Sequence, residues 1–147
     1  MGYTHYWHDE GEGDQIPADA VRLIRKITDE AHRQGLIQRE HDDPRPPVVT
    51  AKVVRFNGVG ELGHETFHFV PGRTSCCFCK TARKPYDAIV MRVLLVLGYY
   101  RPELTIRSDG AFSNEWQPAL DWFGDQGVGN VGTVEHLVFY GPNRNGH

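Results

Sequence analysis

Apolar positions Ala20, Ile24, Ile27 and Ala31 recur at i, i+4, i+7 and i+11. That spacing predicts one face of an amphipathic helix, opened by Pro17, favoured by Asp19 in its first turn and stopped at Gly35. A second helix is expected from Pro85 onward through "AIVMRVLLVLGYY" (88–100), whose apolar residues surround it on nearly every side, so it should be centrally buried. Ser113 can cap a third helix on which Trp116, Leu120 and Phe123 line one side. Residues 2–9 are aromatic and β-favouring, "VVTAKVVRFNG" (48–58) is β-branched and closed by Asn57-Gly58, and in residues 64–70 Phe67 and Phe69 alternate with His64, Thr66 and His68. These read as strands, as do residues 103–110 and 133–141. Between them lie a glycine-broken loop (10–14), a charged, proline-rich connection expected to be mobile (38–47), an irregular loop (71–84), a glycine-rich loop (124–132) and a tail expected to be disordered (142–147).

The order β-α-β-β-α-β over residues 3–108 is the ferredoxin-like pattern. The expected architecture is a single α+β domain spanning residues 1–147. Its antiparallel sheet carries both helices on one face, and a C-terminal helix and strand follow. In that order the first and third strands are neighbours, so residues 2–9 would lie beside 64–70. His64, Thr66 and His68 would then face the sheet's open side, with either Tyr3, His5 and Trp7 or Thr4, Tyr6 and His8 from the first strand. Histidines and aromatics on an open face suit the stacking of a planar ring, unless residues 111–147 cover it.

Composition narrows the classes of function. With 147 residues, 39% hydrophobic and 11% aromatic, the chain can bury a core and is not disordered. A net charge of −3 argues against a strongly basic nucleic-acid binder but leaves room for a local basic patch. No charged start followed by an apolar run marks a signal peptide, and the longest apolar run is broken by Arg92 and shorter than the about 20 residues that span a bilayer. A soluble, cytoplasmic protein without membrane partners is the expectation. Cys76, Cys77 and Cys79 are odd in number and crowded, unlike a secreted disulfide framework.

The densest chemistry lies in "FCKTARKPYD" (78–87), where Lys80, Arg83 and Lys84 precede the central helix. A helix N-terminus offers free N–H donors and partial positive charge, so cations placed there call for a compensating anion. Asp87 could supply part of it and a phosphate or carboxylate ligand the rest. Arg83 can fork onto phosphate and lysine adds a point charge. Tyr86, or an aromatic such as Trp7 beside His5 in "GYTHYW", could contact a base. The competing reading is a solvated loop neutralised by neighbouring carboxylates.

Other chemistries fit less well. His64 and His68 on a strand lie about 13 Å apart, too far to share one zinc ion. The three cysteines form no CxxC pair. Cys79 beside Lys80 and Arg83 could have a lowered pKa and act as a nucleophile with His64 as base. Glu65, Asp87 and Asp109 could hold Mg²⁺ in a phosphoesterase, the one cofactor weighed, although they are scattered singly. The 124–132 glycines lack the Lys-Ser/Thr of a phosphate-binding loop. No segment matches the aromatic signature of RRM modules, which makes single-stranded nucleic acid a lesser alternative.

In order along the chain, "GYTHYW", "RFNG", "HETF", "FCKTARKPYD" and "SDG" followed by a tryptophan resemble a family of small bacteriophage and actinobacterial proteins with no established activity. The resemblance touches residues 2–116, most specifically at 78–87, and supplies no mechanism. It implies one shared site drawn from Asn57, His64, Glu65, Lys80, Thr81, Arg83, Lys84, Tyr86, Asp87 and Asp109. The resulting expectation is a binding protein for a phosphate-bearing small molecule, a nucleotide, at the basic loop. The family's genomic company further implies sequestration of a host signalling nucleotide. A nucleotide-processing enzyme at the same site and a phage protein docking on a host protein through Trp7, Trp122 or residues 38–47 are the alternatives.

Overall fold

The computed structural model describes residues 3–75, 77–111 and 114–129. The expected cap Ser113, the third cysteine Cys76, the end of the glycine-rich loop, the strand at 133–141 and the tail at 142–147 lie outside the described residues.

Helix α1 (Ala18–Arg33) buries Ala20, Ile24, Ile27 and Ala31, the face that the periodicity marks. Gly35 follows at φ +77°, the left-handed conformation that ends a helix without steric penalty. Helix α2 (Asp87–Tyr100) begins two residues after Pro85 and buries every residue from Ile89 to Gly98 except Arg92. It packs against α1 on one side and against α3 (Gln117–Asp125) on another, which is why apolar residues circle it. Trp116, Leu120 and Phe123 are all buried. Among the described residues no helix is long and apolar enough to cross a membrane.

The strands are β1 (Thr4–Asp9), β2 (Ile37–Gln38), β3 (Val48–Val49), β4 (Val54–Gly58), β5 (Phe67–Phe69), β6 (Phe78–Lys80) and β7 (Leu104–Ser108). They form two antiparallel sheets. One has the order β6-β1-β7; in the other β4 pairs with β2, β3 and β5. The α+β class with antiparallel sheets is the one that the pattern predicts. The strand pairing differs. Residues 67–69 join β4, and the neighbour of β1 is β6, in register Thr4↔Lys80, His5↔Cys79 and Tyr6↔Phe78. A three-residue strand inside a loop has no period to read; its hydrogen-bond partners exist only once β1 is in place.

Residues 48–58 also depart from the single strand expected of them. Thr50 donates its N–H to the Val53 carbonyl at 2.9 Å, and its hydroxyl accepts the N–H groups of Lys52 and Val53. This threonine turn folds the segment into a hairpin, a local bond that competes with β-propensity. The 38–47 connection is laced by a Glu40–Asp43 bridge, the Arg39–Arg45 backbone bond and the Arg45–Asp43 ion pair.

Below the sheet, Trp7 packs on Phe67 and Phe69 with ring centroids 5.1 and 6.4 Å apart and ties the two sheets together. At the far end of β1 the fully buried Asp9 carboxylate accepts Arg101 Nε at 2.7 Å, Gly72 N–H at 2.6 Å and Gly11 N–H at 3.0 Å. Arg101 also donates through Nη1 and Nη2 to the carbonyls of Gln15 and Gly13.

Candidate functional site

Alternation along β1 turns Tyr3, His5, Trp7 and Asp9 inward and leaves Tyr6 and His8 half-buried on the other face. His5 is fully buried, yet both its ring nitrogens are satisfied: Nε2 lies 2.6 Å from Asp87 Oδ1 and Nδ1 lies 2.7 Å from Ser108 Oγ. Asp87 is the first residue of α2, and its Oδ1 also accepts the buried Thr81 hydroxyl at 2.6 Å. Trp116 and Tyr3 close over the imidazole edge-on, at 5.2 and 5.3 Å between ring centroids. Asp109, next to Ser108, accepts the Thr4 N–H at 3.0 Å. Residues separated by up to 105 positions thus meet at one corner, where β1, β7 and the start of α2 converge.

The basic loop is wound tightly onto this corner. Ala82 and Arg83 take φ +54° and +58° although neither is glycine, a strain of about 1 kcal/mol or more each. Thr81 and Ala82 both donate their N–H to the Tyr3 carbonyl, and Lys84 donates to Thr81, which holds the turn. Arg83 stacks 4.1 Å above the Tyr3 ring and its Nε meets Glu115 at 3.0 Å. That hydrogen bond, with the Ala111 N–H, holds the Glu115 carboxyl below its usual range. The N–H groups of Asp87, Ile89 and Val90 go to the carbonyls of Lys84 and Tyr86, so these first-turn donors are not free. Asp87 and Glu115 supply negative charge that the cluster calls for. Among the described residues Lys80 and Lys84 form no ion pair.

Several expected site residues belong to the framework. Tyr86 is fully buried and donates its hydroxyl to the Glu65 carbonyl at 2.5 Å, so its ring is core and not a surface for stacking. Burial, and then the nearby Cys79, pushes its phenol pKa up. Cys79 is also fully buried, and loss of solvation pushes its thiol up to about 12, the reverse of the lowering expected from its basic neighbours. Glu65 accepts the Lys80 N–H at 2.8 Å and fixes the end of β6. Asn57 is buried and closes the 58–64 loop, donating to the His64 carbonyl and Thr66 and accepting the N–H groups of Gly58 and His64. His64 is exposed on that loop. Trp7 is core, as described above.

The outer face of the β6-β1-β7 sheet carries a different set. Tyr6 pairs across the strands with Phe78 on one side and with Arg107 on the other. The Arg107 guanidinium lies 4.6 Å from the Tyr6 ring centroid. A groove of about 640 Å³ runs here, lined by Tyr6, His8, Thr74, Phe78, Thr105 and Arg107 together with the buried Trp7 and Cys77. Phe78 is 48% exposed, the most open large apolar side chain among the described residues. Lys80 follows Phe78 by two positions on the same side of the strand, about 7 Å away. Among the described residues Arg107 forms no ion pair with a carboxylate.

Of the residues expected in one site, the structure gathers His5, Thr81, Arg83, Asp87 and Asp109 at the corner, while Lys80 lies on the Phe78 side of β6, the opposite face of the sheet. It leaves Asn57, His64, Tyr86 and Trp7 elsewhere. Ser108 and Glu115 are not among the expected site residues, and Tyr3 and Trp116 are expected only on the first strand and the third helix, because no spacing connects any of the four to His5. Tyr6 and Phe78 had a signal, the two-residue alternation around His5 and Cys79, but it needed the β1–β6 register to be read. No protein-family model, no curated protein and no solved structure matches this chain.

Proposed function

We propose that the protein binds a phosphate-bearing ligand with a planar ring, a nucleotide, across the open face of the β6-β1-β7 sheet. The carrying observation is the exposed Phe78 beside Tyr6, flanked by Lys80 and Arg107, two cations without a carboxylate partner among the described residues. A solvent-facing aromatic pair is suited to one ring, since base–aromatic stacking contributes about 1–3 kcal/mol per base. Lys80, with Lys84 from the following turn, and Arg107 supply the charge that a phosphate needs, Arg107 with a two-pronged donor. His8 and Thr105 add hydrogen-bonding groups at the far end of the groove. In this reading Arg83 braces the loop and does not itself grip the phosphate. The strand order, with α2 crossing between β6 and β7 on either side of β1, also supports reading this half of the molecule as a ferredoxin-like core. A nucleotide ligand accords with a cytoplasmic setting.

The test is a thermal-shift series against mono-, di- and cyclic nucleotides, with and without Mg²⁺, and against short single-stranded oligonucleotides. A ligand at about 100 times its dissociation constant stabilises by about 2.7 kcal/mol, a rise of about 5–10 °C for a chain of this length. Phe78→Ala and Arg107→Ala should each abolish the shift while leaving the unliganded melting temperature within about 2 °C. A shift that survives both substitutions, or no shift with any nucleotide, refutes the reading. Stronger, steeply salt-dependent binding of oligonucleotides would reassign the face to single strands, and recovery of altered ligand would make the protein an enzyme.

A further inference from the structure

The hydrogen-bond chain through His5 has a direction, and it ends on a hydroxyl. Asp87 Oδ1 accepts from both Thr81 Oγ1 and His5 Nε2. A neutral imidazole with its proton on Nε2 carries a lone pair on Nδ1. Ser108 Oγ, 2.7 Å away, therefore donates its hydrogen to that nitrogen. The Gly110 N–H, 2.8 Å from Oγ, holds the oxygen from its other side. A serine hydrogen-bonded to an imidazole that a carboxylate orients is the arrangement that makes a hydroxyl nucleophilic.

Two further features belong to the same spot. Ser108 is half-buried while His5 is sealed, so the reactive oxygen is the end of the chain nearer solvent. The Tyr3 hydroxyl makes no hydrogen bond to a described residue, and burial, then the charges of Asp87 and Glu115, raise its pKa so that it keeps its proton. A methyl group built on Gly110 would sit 2.2 Å from Tyr3 Oη and 3.2 Å from Ser108 Oγ. The missing side chain at position 110 is what lets the Tyr3 hydroxyl close against the backbone there, so that a nucleophile and a donor for a developing oxyanion flank the same glycine. This corner lies on the face of the sheet opposite the Tyr6–Phe78 groove.

We infer that Ser108, with His5 as its base, Asp87 as the positioning carboxylate and Tyr3 as oxyanion donor, forms a nucleophilic site that accepts the acyl group of a small carboxylic ester. Ser108 Oγ bonds to the carbonyl carbon as its proton passes to His5 Nδ1. The ester C–O bond then breaks, and the departing alkoxide takes that proton back from His5. Water then gives a proton to the same nitrogen as its oxygen bonds to the acyl carbon; the acyl–Oγ bond breaks, Ser108 Oγ takes the proton back from His5, and the carboxylic acid leaves.

The experiment is a reaction of the full chain with p-nitrophenyl acetate, following nitrophenolate release, intact mass and the position of the acetyl group by peptide mapping. The expected result is a burst approaching one equivalent, with acetyl on Ser108 and none in Ser108→Ala. Asp87→Asn should slow acylation by about 10⁴-fold, because an amide N–H facing Nε2 drives the imidazole proton onto Nδ1. That loss should fall on the maximal rate, with the half-saturating ester concentration and melting temperature little changed. A purely structural Asp87 would lower the melting temperature and leave the rate of the folded fraction intact, which would overturn its assigned role. Should Ser108→Ala fail to fold, the wild-type adduct decides. Acetyl on a lysine or any other residue, or no adduct at all, sinks the proposal and leaves the nucleotide reading standing.

Discussion

Replacing Arg101 with methionine tests the fold where the energetic stakes are highest. Arg101 and Asp9 are almost wholly out of water, with side-chain exposures of 6% and 0%, and the guanidinium bridges the end of β1, the 10–15 loop and the C-terminal end of α2. Methionine preserves much of the volume but removes all three of these hydrogen bonds. Asp9 keeps only the N–H groups of Gly72 and Gly11, so a buried carboxylate loses its counter-charge. Stripping one partner from such a pair costs about 3–5 kcal/mol, mostly as the penalty of the charge left behind. For a chain of this length that corresponds to a fall of about 6–20 °C in melting temperature. Urea unfolding at pH 7 measures it, with Lys52→Ala as control. Lys52 holds Asp14 at 3.0 Å, but both side chains are mostly exposed, so its loss should cost less than about 1 kcal/mol. The double variant Arg101→Met with Asp9→Asn should recover part of the loss, because the orphaned charge is gone. If Arg101→Met costs no more than the control, or the two substitutions simply add, then the pair is not coupled as its burial requires.

Other outcomes follow from the same geometry. Cys79 titrates near 9 when unfolded but only at about 12 in the folded protein, so its contribution to stability is intact below pH 9 and is lost as pH rises from 9 towards 12. The buried Tyr3 and Tyr86 phenols shift in the same direction, and a urea midpoint that stays flat from pH 8 to 11 would contradict this. In the folded protein at pH 8 iodoacetamide should leave Cys79 unmodified, as peptide mapping can check. Gly58→Ala would place its methyl 2.4 Å from the Leu62 carbonyl oxygen and 2.6 Å from Gly63 Cα. Backbone cannot swing aside as a side chain does, so a loss of about 1–3 kcal/mol in urea unfolding is expected. Asn57→Ala removes four hydrogen bonds from the same loop and should cost about 2 kcal/mol or more in the same assay.

How much of this could be read from the chain differs between elements. The face of α1 was legible because Ala20, Ile24, Ile27 and Ala31 answer to a helical period that operates within sixteen residues. The all-round burial of α2 was equally plain, since an apolar run without a polar face has nowhere to go but the centre. Phe67 and Phe69 alternate with an exposed His68 as a half-buried strand must. Legibility failed where a bond between distant residues, or a competing local one, decides. Thr50 folded a β-branched run into a hairpin through its own hydroxyl. β6 became a strand only because β1 lay beside it.

The candidate site divides along the same line. Local sequence marks Lys80, Arg83 and Lys84 as a charge cluster before a helix, and marks "GYTHYW" as a strand rich in aromatics. Periodicity and local charge act over a few residues, so the chain alone determines its helices, its core stripes and where its cations gather. Tertiary structure decided that Tyr86 and Trp7 serve the core, that Arg83 is held by Tyr3 and Glu115, and that His5 meets both Asp87 and Ser108. Those contacts join residues 32 to 103 positions apart, and no short-range pattern encodes a hydrogen bond whose two ends meet only after the sheet has paired and the helices have packed.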